Sequence, residues 1–536
     1  MQSPGEQRVD DPAADADERS SGSMTGRPPA DPSFIGEQPA APGGRTDDRP
    51  GAVGGGTPKL RKGDLVDLCI HTLAFGGKGV ARLDDFVIFV TGAVPGDTVR
   101  ALVTKNKKRY AEARVVELLQ PSSDRVAARC SAFGRCGGCV WQDLDYGAQL
   151  GYKAHQVRES LEHLGGLTGF ELRPALSPAN PWRYRNRADF SVGMSETGAV
   201  VGFRPRGRWD TVLPLTECHL MSRGMEALRT TVENWLRTHD LPGWDPRTNT
   251  GYVRHLLVRT AQSGREMLAS LVTAPGELPD ETGLVETLRT VHPELVGIAH
   301  AVNPGRAELS SGLEARMLWG RLFLYERLAG VTLKISLNAF FQTNTLMAHE
   351  LYELVAREVF VPPVPYDGVT GMSRTAAPVD SGPVVWDLYS GVGSIGLALA
   401  MRGARILGIE AVPAAVVDAR ENARLNGLAR VEFIEGDVRR VLREVAQGTR
   451  SLPQGLDRPD VVVVDPPRAG LHQRVVARIG ELAAPRIVYV SCNPSTMAPN
   501  IAQLCEHGYR LLRVTPVDMF PQTPHVEAVA VLSRSA

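Results

Sequence analysis

Hydrophobic and polar positions change their period three times along this chain. From Leu60 to Leu119 the apolar residues come in short alternating runs, such as Asp67-Leu-Cys-Ile-His, Phe86-Val-Ile-Phe-Val, Val99-Arg-Ala-Leu-Val and Tyr110-Ala-Glu-Ala-Arg-Val-Val. Turn residues at Gly76-Gly77 and Pro95-Gly96-Asp97 separate them. A period of two places every second side chain on one face, so residues 58–120 read as a compact OB-like β-barrel. Residues 121–340 mix the two periods and read as an α+β domain, with a helix over Ala148–Leu164 and strands at Asp189-Phe-Ser-Val-Gly and Glu266–Thr273. Residues 341–536 alternate strand and helix. Strands are expected at Val384–Leu388, Ile406–Glu410, Val431–Ile434, Val461–Asp465, Ile487–Ser491, Leu511–Val517 and Ala528–Leu532, which makes a doubly wound, parallel, Rossmann-like sheet. The polar, Pro-rich stretch 362–383 is an insertion in a loop. Residues 1–57 hold almost no large apolar side chains and cannot offset their ordering entropy, so they read as a disordered tail. The fold class expected is multidomain α/β.

Composition narrows the picture. The 536 residues are 43% hydrophobic, and no apolar run approaches the roughly 18–20 residues of a membrane helix. The N-terminus lacks a basic-then-apolar leader, so the expectation is a cytoplasmic protein with no membrane partner. Cysteines there stay reduced, and spaced ones read as metal, cofactor or catalytic residues. Acidic and basic side chains balance at 60 each, which argues against a protein that coats nucleic acid. Within residues 58–120, however, eleven Lys/Arg face seven Asp/Glu, mostly through Lys105-Asn-Lys-Lys-Arg109, and a small basic barrel suits RNA. In Trp182-Arg-Tyr-Arg-Asn-Arg187, alternation on a strand would set Arg183, Arg185 and Arg187 on one phosphate-facing side.

Several motifs carry chemistry. Cys130, Cys136 and Cys139, with the distant Cys218, suit a tetrahedral zinc or a [4Fe–4S] cluster; the five-residue gap exceeds that of most zinc pairs and favours iron–sulfur. Asp387-Leu-Tyr389-Ser-Gly391-Val-Gly393-Ser-Ile-Gly396 is a glycine-rich turn between strand and helix. It fits a nicotinamide or flavin oxidoreductase. Two carboxylates favour S-adenosylmethionine instead: Asp387, where a sulfonium and its amino group would lie, and Asp437, where an adenine amino group would lie. Glu410 is placed for ribose hydroxyls. Asp465-Pro-Pro-Arg468 ends the fourth strand, and Arg468 stands where many amino-group methylases carry a stacking aromatic. Cys492, in Ser-Cys-Asn-Pro494, sits at the rim of the ligand crevice as a candidate nucleophile, and Glu527 opens the last strand as a candidate base. Together these parts fit thiolate addition to carbon 6 of a flipped uracil, methylation at carbon 5, and proton removal by Glu527. A non-catalytic RNA-binding protein is the other alternative.

These motifs resemble the S-adenosylmethionine-dependent RNA 5-methyluridine methyltransferases that carry an N-terminal TRAM domain, over residues 58 to 534. The resemblance implies a [4Fe–4S] cluster on Cys130, Cys136, Cys139 and Cys218. It implies cofactor contacts from Gln342 (in Phe340-Phe-Gln-Thr-Asn344), Tyr389, Ser394, Glu410, Asp437 and Asp465, with Cys492 as nucleophile and Glu527 as base. Ser394 departs from the Asn of several relatives. The implied partner is RNA, with 23S ribosomal RNA favoured by the cysteines over transfer RNA; no protein partner is implied.

Overall fold

The computed structural model describes residues 60–361 and 382–534, so the tail and nearly all of the 362–383 insertion lie outside the described residues. The alternating N-terminal runs become six strands: Leu65–Cys69, Thr72–Leu73, Gly79–Leu83, Phe86–Thr91, Thr98–Asn106 and Tyr110–Gln120. The stretch Leu65–Leu73 pairs with Thr98–Leu102 through its first half and with Gly79–Val80 through its second, which closes the sheet on itself. Phe86, Ile88 and Val90 point into its core with Val99, Ala101 and Val103. Lys105 to Arg109 are exposed at the tip of the last hairpin.

The next sheet has seven strands, in the order Leu213–Pro214, Gly198–Phe203, Arg187–Ser195, Val253–Thr260, Met267–Thr273, Leu295–Val302 and Ala315–Gly320. Helices Arg223–Thr238 and Glu281–Val291 pack on it through Met225, Leu228, Val232, Leu284 and Leu288. The arginine stripe expected at 183–187 is not a strand face. Arg183 turns at a φ of 58° and pairs with Glu226 and Glu217, while Arg187 starts the strand and pairs with Asp189 at 2.9 Å. Glu217 and Glu226 from other elements take up Arg183 and Asp189 of the same strand takes up Arg187, while Arg185 has no acidic partner among the described residues.

The C-terminal sheet has eight strands, in the order Val431–Glu435, Arg405–Glu410, Val384–Leu388, Val461–Val464, Arg486–Ser491, Glu527–Arg534, Tyr509–Val517 and Glu171–Leu172. Central strands covered on both faces are continuously apolar, and Val461–Val464 is buried at every position. Burying each such valine is worth roughly 1.5–3 kcal/mol. The sheet is mixed rather than parallel. Glu527–Arg534 enters antiparallel between Arg486–Ser491 and Tyr509–Val517, because the short 518–526 connection brings the chain straight back. Residues from the 121–340 stretch also join this layer. Glu171–Leu172 extends the sheet, and helix Tyr146–Glu159 with its π-turn Ser160–Leu164 packs on helix Pro494–Glu506. The hairpin Phe323–Leu328/Val331–Ser336 is held on helix Pro413–Leu425 by Asn422, whose Oδ1 accepts from Lys334 N, and by Asn426, whose Oδ1 accepts from Thr332 N. Among the described residues no helix is long and apolar enough to cross a membrane.

Candidate active site

Strand order reverses between Val384–Leu388 and Val461–Val464, and their carboxyl ends open a crevice of the kind where ligands of such sheets bind. The glycine-rich turn forms one wall. Tyr389, Gly391 and Gly393 adopt positive φ of 64°, 56° and 81°. A Cβ on Gly393 would lie 2.6 Å from Phe433, so only glycine lets the turn pack so closely. Asp387 is 1% exposed, and its Oδ2 accepts from Gly396 N at 3.0 Å while its Oδ1 is buried without a partner. Burial, with Asp465 and Glu410 nearby, pushes its carboxyl up to about 7. An orphaned acceptor of this kind asks for a cation. Glu410 accepts from Gly391 N at 2.9 Å and from Val412 N at 2.8 Å, which fixes its carboxylate at the strand end. Asp437 caps helix Val438–Ala446 by accepting from Arg440 N, yet stays exposed. Ser394 Oγ lies 2.7 Å from the hydroxyl of Tyr352, and Gln342 is buried with its carbonyl accepting from Asn186 Nδ2 at 2.8 Å.

The opposite wall carries Asp465, Cys492 and Glu527. The Ser491-Cys492-Asn493 turn is locked on both sides: Asn493 N donates to Ser491 Oγ (3.1 Å), and Asn493 Nδ2 donates to Arg468 O (3.0 Å). Cys492 is half-buried. Burial, then the charges of Glu527 and Asp465, push its thiol up to about 11, while the Arg468 guanidinium near the sulfur pulls it down. Glu527 is 3% exposed, its Oε2 has no partner, and burial beside Asp465 pushes its carboxyl up to about 8. Asp465 is raised to about 7 by burial. All these groups surround one space: Tyr352 feels Asp465, Asp387 and Glu527, Tyr389 feels Asp437 and Glu410, and Tyr489 feels Tyr389, Asp465 and Cys492.

The loop that delivers Glu527 is pinned from three elements. Tyr146 donates to Asp518 Oδ2 (2.7 Å), Tyr184 donates to Pro521 O (3.0 Å), and Asn344 Nδ2 donates to Met519 O (3.1 Å).

Comparison with known proteins identifies the architecture. Residues 378–535 match the tRNA (Uracil-5-)-methyltransferase family model and residues 59–116 the TRAM domain. An uncharacterized RNA methyltransferase of Halalkalibacterium halodurans is 36% identical over 474 residues, 88% of this chain and 98% of its own. One of Nitratidesulfovibrio vulgaris is 36% identical over 88% of this chain and 96% of its own. The chain belongs to the tRNA (uracil-5-)-methyltransferase family. In structure it is similar to the Pyrococcus abyssi tRNA (uracil-54, C5)-methyltransferase in complex with S-adenosyl-L-homocysteine, at a TM-score of 0.67 and 29% identity, covering 87% of this chain and 100% of that one.

This member of the family is therefore an S-adenosylmethionine-dependent methyltransferase, and the oxidoreductase alternative falls away. In this methyltransferase the crevice gathers Asp387, Glu410, Asp465, Cys492 and Glu527. The sequence marked Arg468 only for what it excludes, and not for the charge it places near the Cys492 sulfur; its place three residues after Asp465 was the available signal. Away from the crevice, Cys130, Cys136, Cys139 and Cys218 all line one cavity of about 460 Å³ with Phe133, Gly137 and Gly138. Burial raises the thiols of Cys136 and Cys218 and pushes Cys139 up to about 12. Among the described residues no three Cys, His, Asp or Glu side chains converge tightly enough for a single metal ion.

Proposed function

We propose that the protein methylates carbon 5 of a uridine in RNA, with Cys492 as nucleophile and Glu527 as base. The observation that carries this reading is the antiparallel register of Ser491 with Ala528, which sets the half-buried thiol of Cys492 beside the buried carboxylate of Glu527. The Cys492 thiolate adds to carbon 6 of the uracil, and the ring electrons move onto carbon 5 and the O4 carbonyl. Asp387, Glu410, Asp437, Asp465, Tyr389, Ser394 and Gln342 would hold S-adenosylmethionine, whose sulfonium would supply the methyl group to carbon 5, the sulfur–methyl bond breaking to leave the neutral thioether. The Glu527 carboxylate then removes the carbon 5 proton, the double bond to carbon 6 re-forms, and the thiolate leaves. The unpartnered Oδ1 of Asp387 supports a cationic ligand on that wall. Burial, and then the charge of Asp465, raise the proton affinity of Glu527, so that it takes a carbon-bound proton and still releases it near neutrality.

On the four cysteines we infer a [4Fe–4S] cluster, as the family resemblance implies. A zinc ion draws all its sulfurs to within roughly 2.3 Å of one point, whereas a cuboidal cluster binds each thiolate at a separate corner. The four thiols line one cavity, and the family resemblance is what assigns a cluster to them, with zinc as the alternative. In the family the chain resembles, these cysteines favour 23S ribosomal RNA as the target. Transfer RNA is the second reading, because the solved relative is named for uracil-54 of tRNA. Wild-type protein with labelled methyl donor and each RNA should yield 5-methyluridine, and Cys492→Ala should yield none. Product at the wild-type rate from Cys492→Ala rejects the covalent route, and mapping the modified position in a deletion strain separates the two RNAs.

A further inference from the structure

Arg185 is the arginine of the 182–187 segment that no acid claims. Arg183 is held by Glu217 and Glu226 and Arg187 by Asp189, whereas Arg185 has no ion pair among the described residues. It lines the four-cysteine cavity, and its backbone bridges Met221 on one side and Asn344 of the Gln342-Thr-Asn344 segment on the other. Its neighbour Tyr184 donates to Pro521 O at 3.0 Å, on the loop that presents Glu527. Arg185 therefore stands between the cavity and the catalytic crevice.

The rim of the cavity continues this cationic line. The Cys130–Cys139 segment is stitched to the turn at 204–207: Gly137 N donates to Arg204 O (3.1 Å), Arg206 N donates to Arg135 O (3.0 Å), and Cys136 pairs with Pro205. Arg206 lines the cavity and Arg129 and Arg135 adjoin its Cys130 and Cys136; all three are exposed, and none of them has an acidic partner among the described residues. The Arg129 guanidinium lies 4.8 Å above the Trp182 ring, which meets His219 edge-on at 6.1 Å. Trp209, beyond Arg206, is 61% exposed. Glu217, the acid that lines this cavity, is already occupied by Arg183 and His219. Exposed guanidinium groups without acidic partners, beside tryptophan side chains, match a nucleic-acid strand, whose phosphates take the charge and whose bases stack.

We propose that Arg185, Arg129, Arg135 and Arg206, with Trp182, form a track for the RNA strand flanking the target uridine, running from the rim of the cysteine cavity into the crevice. The track rests on the RNA reading above and adds to it a route and a role for the cysteine-bearing segment: holding the rim in shape.

The test measures binding of a uridine-containing stem-loop RNA to full-length, anaerobically purified protein between 50 and 200 mM KCl, for wild type and for Arg129→Gln/Arg206→Gln. The slope of log affinity against log salt should fall by about 0.7–0.9 for each guanidinium removed. Iron content and S-adenosyl-L-homocysteine affinity should match wild type, and kcat/KM should drop through KM. An unchanged slope in a variant that keeps its iron and its cofactor affinity overturns the track. Should that variant fold poorly, crosslinking wild-type protein to RNA carrying 4-thiouridine beside the target decides the matter. Crosslinks should map to residues 129–139, 182–185 or 204–209, and crosslinks confined to other segments overturn the proposal. Wild-type protein that neither binds nor methylates RNA rejects the functional reading itself; methylation with rim-independent binding rejects only the track.

Discussion

Lys153 Nζ lies 2.5 Å from Asp518 Oδ1, and neither side chain has any exposed surface. The lysine also donates to Phe520 O at 3.1 Å, so a helix early in the chain grips the loop that presents Glu527. Removing one member of a buried pair leaves the other uncompensated, at about 3–5 kcal/mol. Lys153→Met should lose that much stability in urea denaturation, and Lys153→Met/Asp518→Leu should lose clearly less than the two single changes added together. Strict additivity would mean that the contact carries no coupling.

Arg468 is expected to tune the nucleophile. It pulls the Cys492 thiol down against burial and two carboxylates, so Arg468→Gln should raise that thiol further. A rise of about one in that pKa makes the thiolate fraction about tenfold smaller. Alkylation of Cys492 by iodoacetamide at pH 8 should slow by about that factor, with the fold intact by circular dichroism.

Glu527 and Asp465 give stability a sign with pH. Their carboxyls sit at about 8 and about 7 in the folded protein, above the value near 4 of an unfolded chain. The folded state therefore holds the extra protons; this contribution is complete below about pH 4 and is lost as pH rises through 7 to 8. Thermal melts of the cofactor-free protein should show Tm falling from pH 5.5 to 8.5, and Glu527→Gln should flatten part of that fall. In catalysis the ionised base is needed, so breakdown of the covalent adduct should speed up with pH through about 8. Glu527→Gln should accumulate the adduct, visible as a protein–RNA band on denaturing gels.

Asp387 is expected to discriminate charge. Asp387→Asn keeps an acceptor for Gly396 N and removes the negative charge whose Oδ1 has no partner. Calorimetry should show at least a tenfold loss of S-adenosylmethionine affinity and a smaller loss for the uncharged-sulfur product. Because the charge is costly when buried, the cofactor-free variant should be no less stable than wild type.

Anaerobic protein should contain iron and sulfide, and Cys139→Ser should lower both. Zinc at one ion per chain with no iron would replace the cluster reading.

Periodicity alone determined much of this protein. Alternating runs at 86–90 and 99–103, and strands expected at 384–388 and 461–465, report which faces must leave water, and strands formed at Phe86–Thr91, Thr98–Asn106, Val384–Leu388 and Val461–Val464. The order of local motifs also placed Cys492 and Asp465 at strand ends, because a strand running into polar turn residues ends there whatever surrounds it. Tertiary structure decided what those faces and ends meet. Periodicity does not say that Glu527–Arg534 runs antiparallel and so brings Glu527 to Cys492, nor that Arg183 and Arg187 find acids while Arg185 finds none. Lys153 and Asp518, far apart along the chain, pair only because the helix and the loop pack on the same sheet edge. A buried charge is tolerated only beside its partner, and that partner is chosen by how the layers close, not by neighbours in sequence.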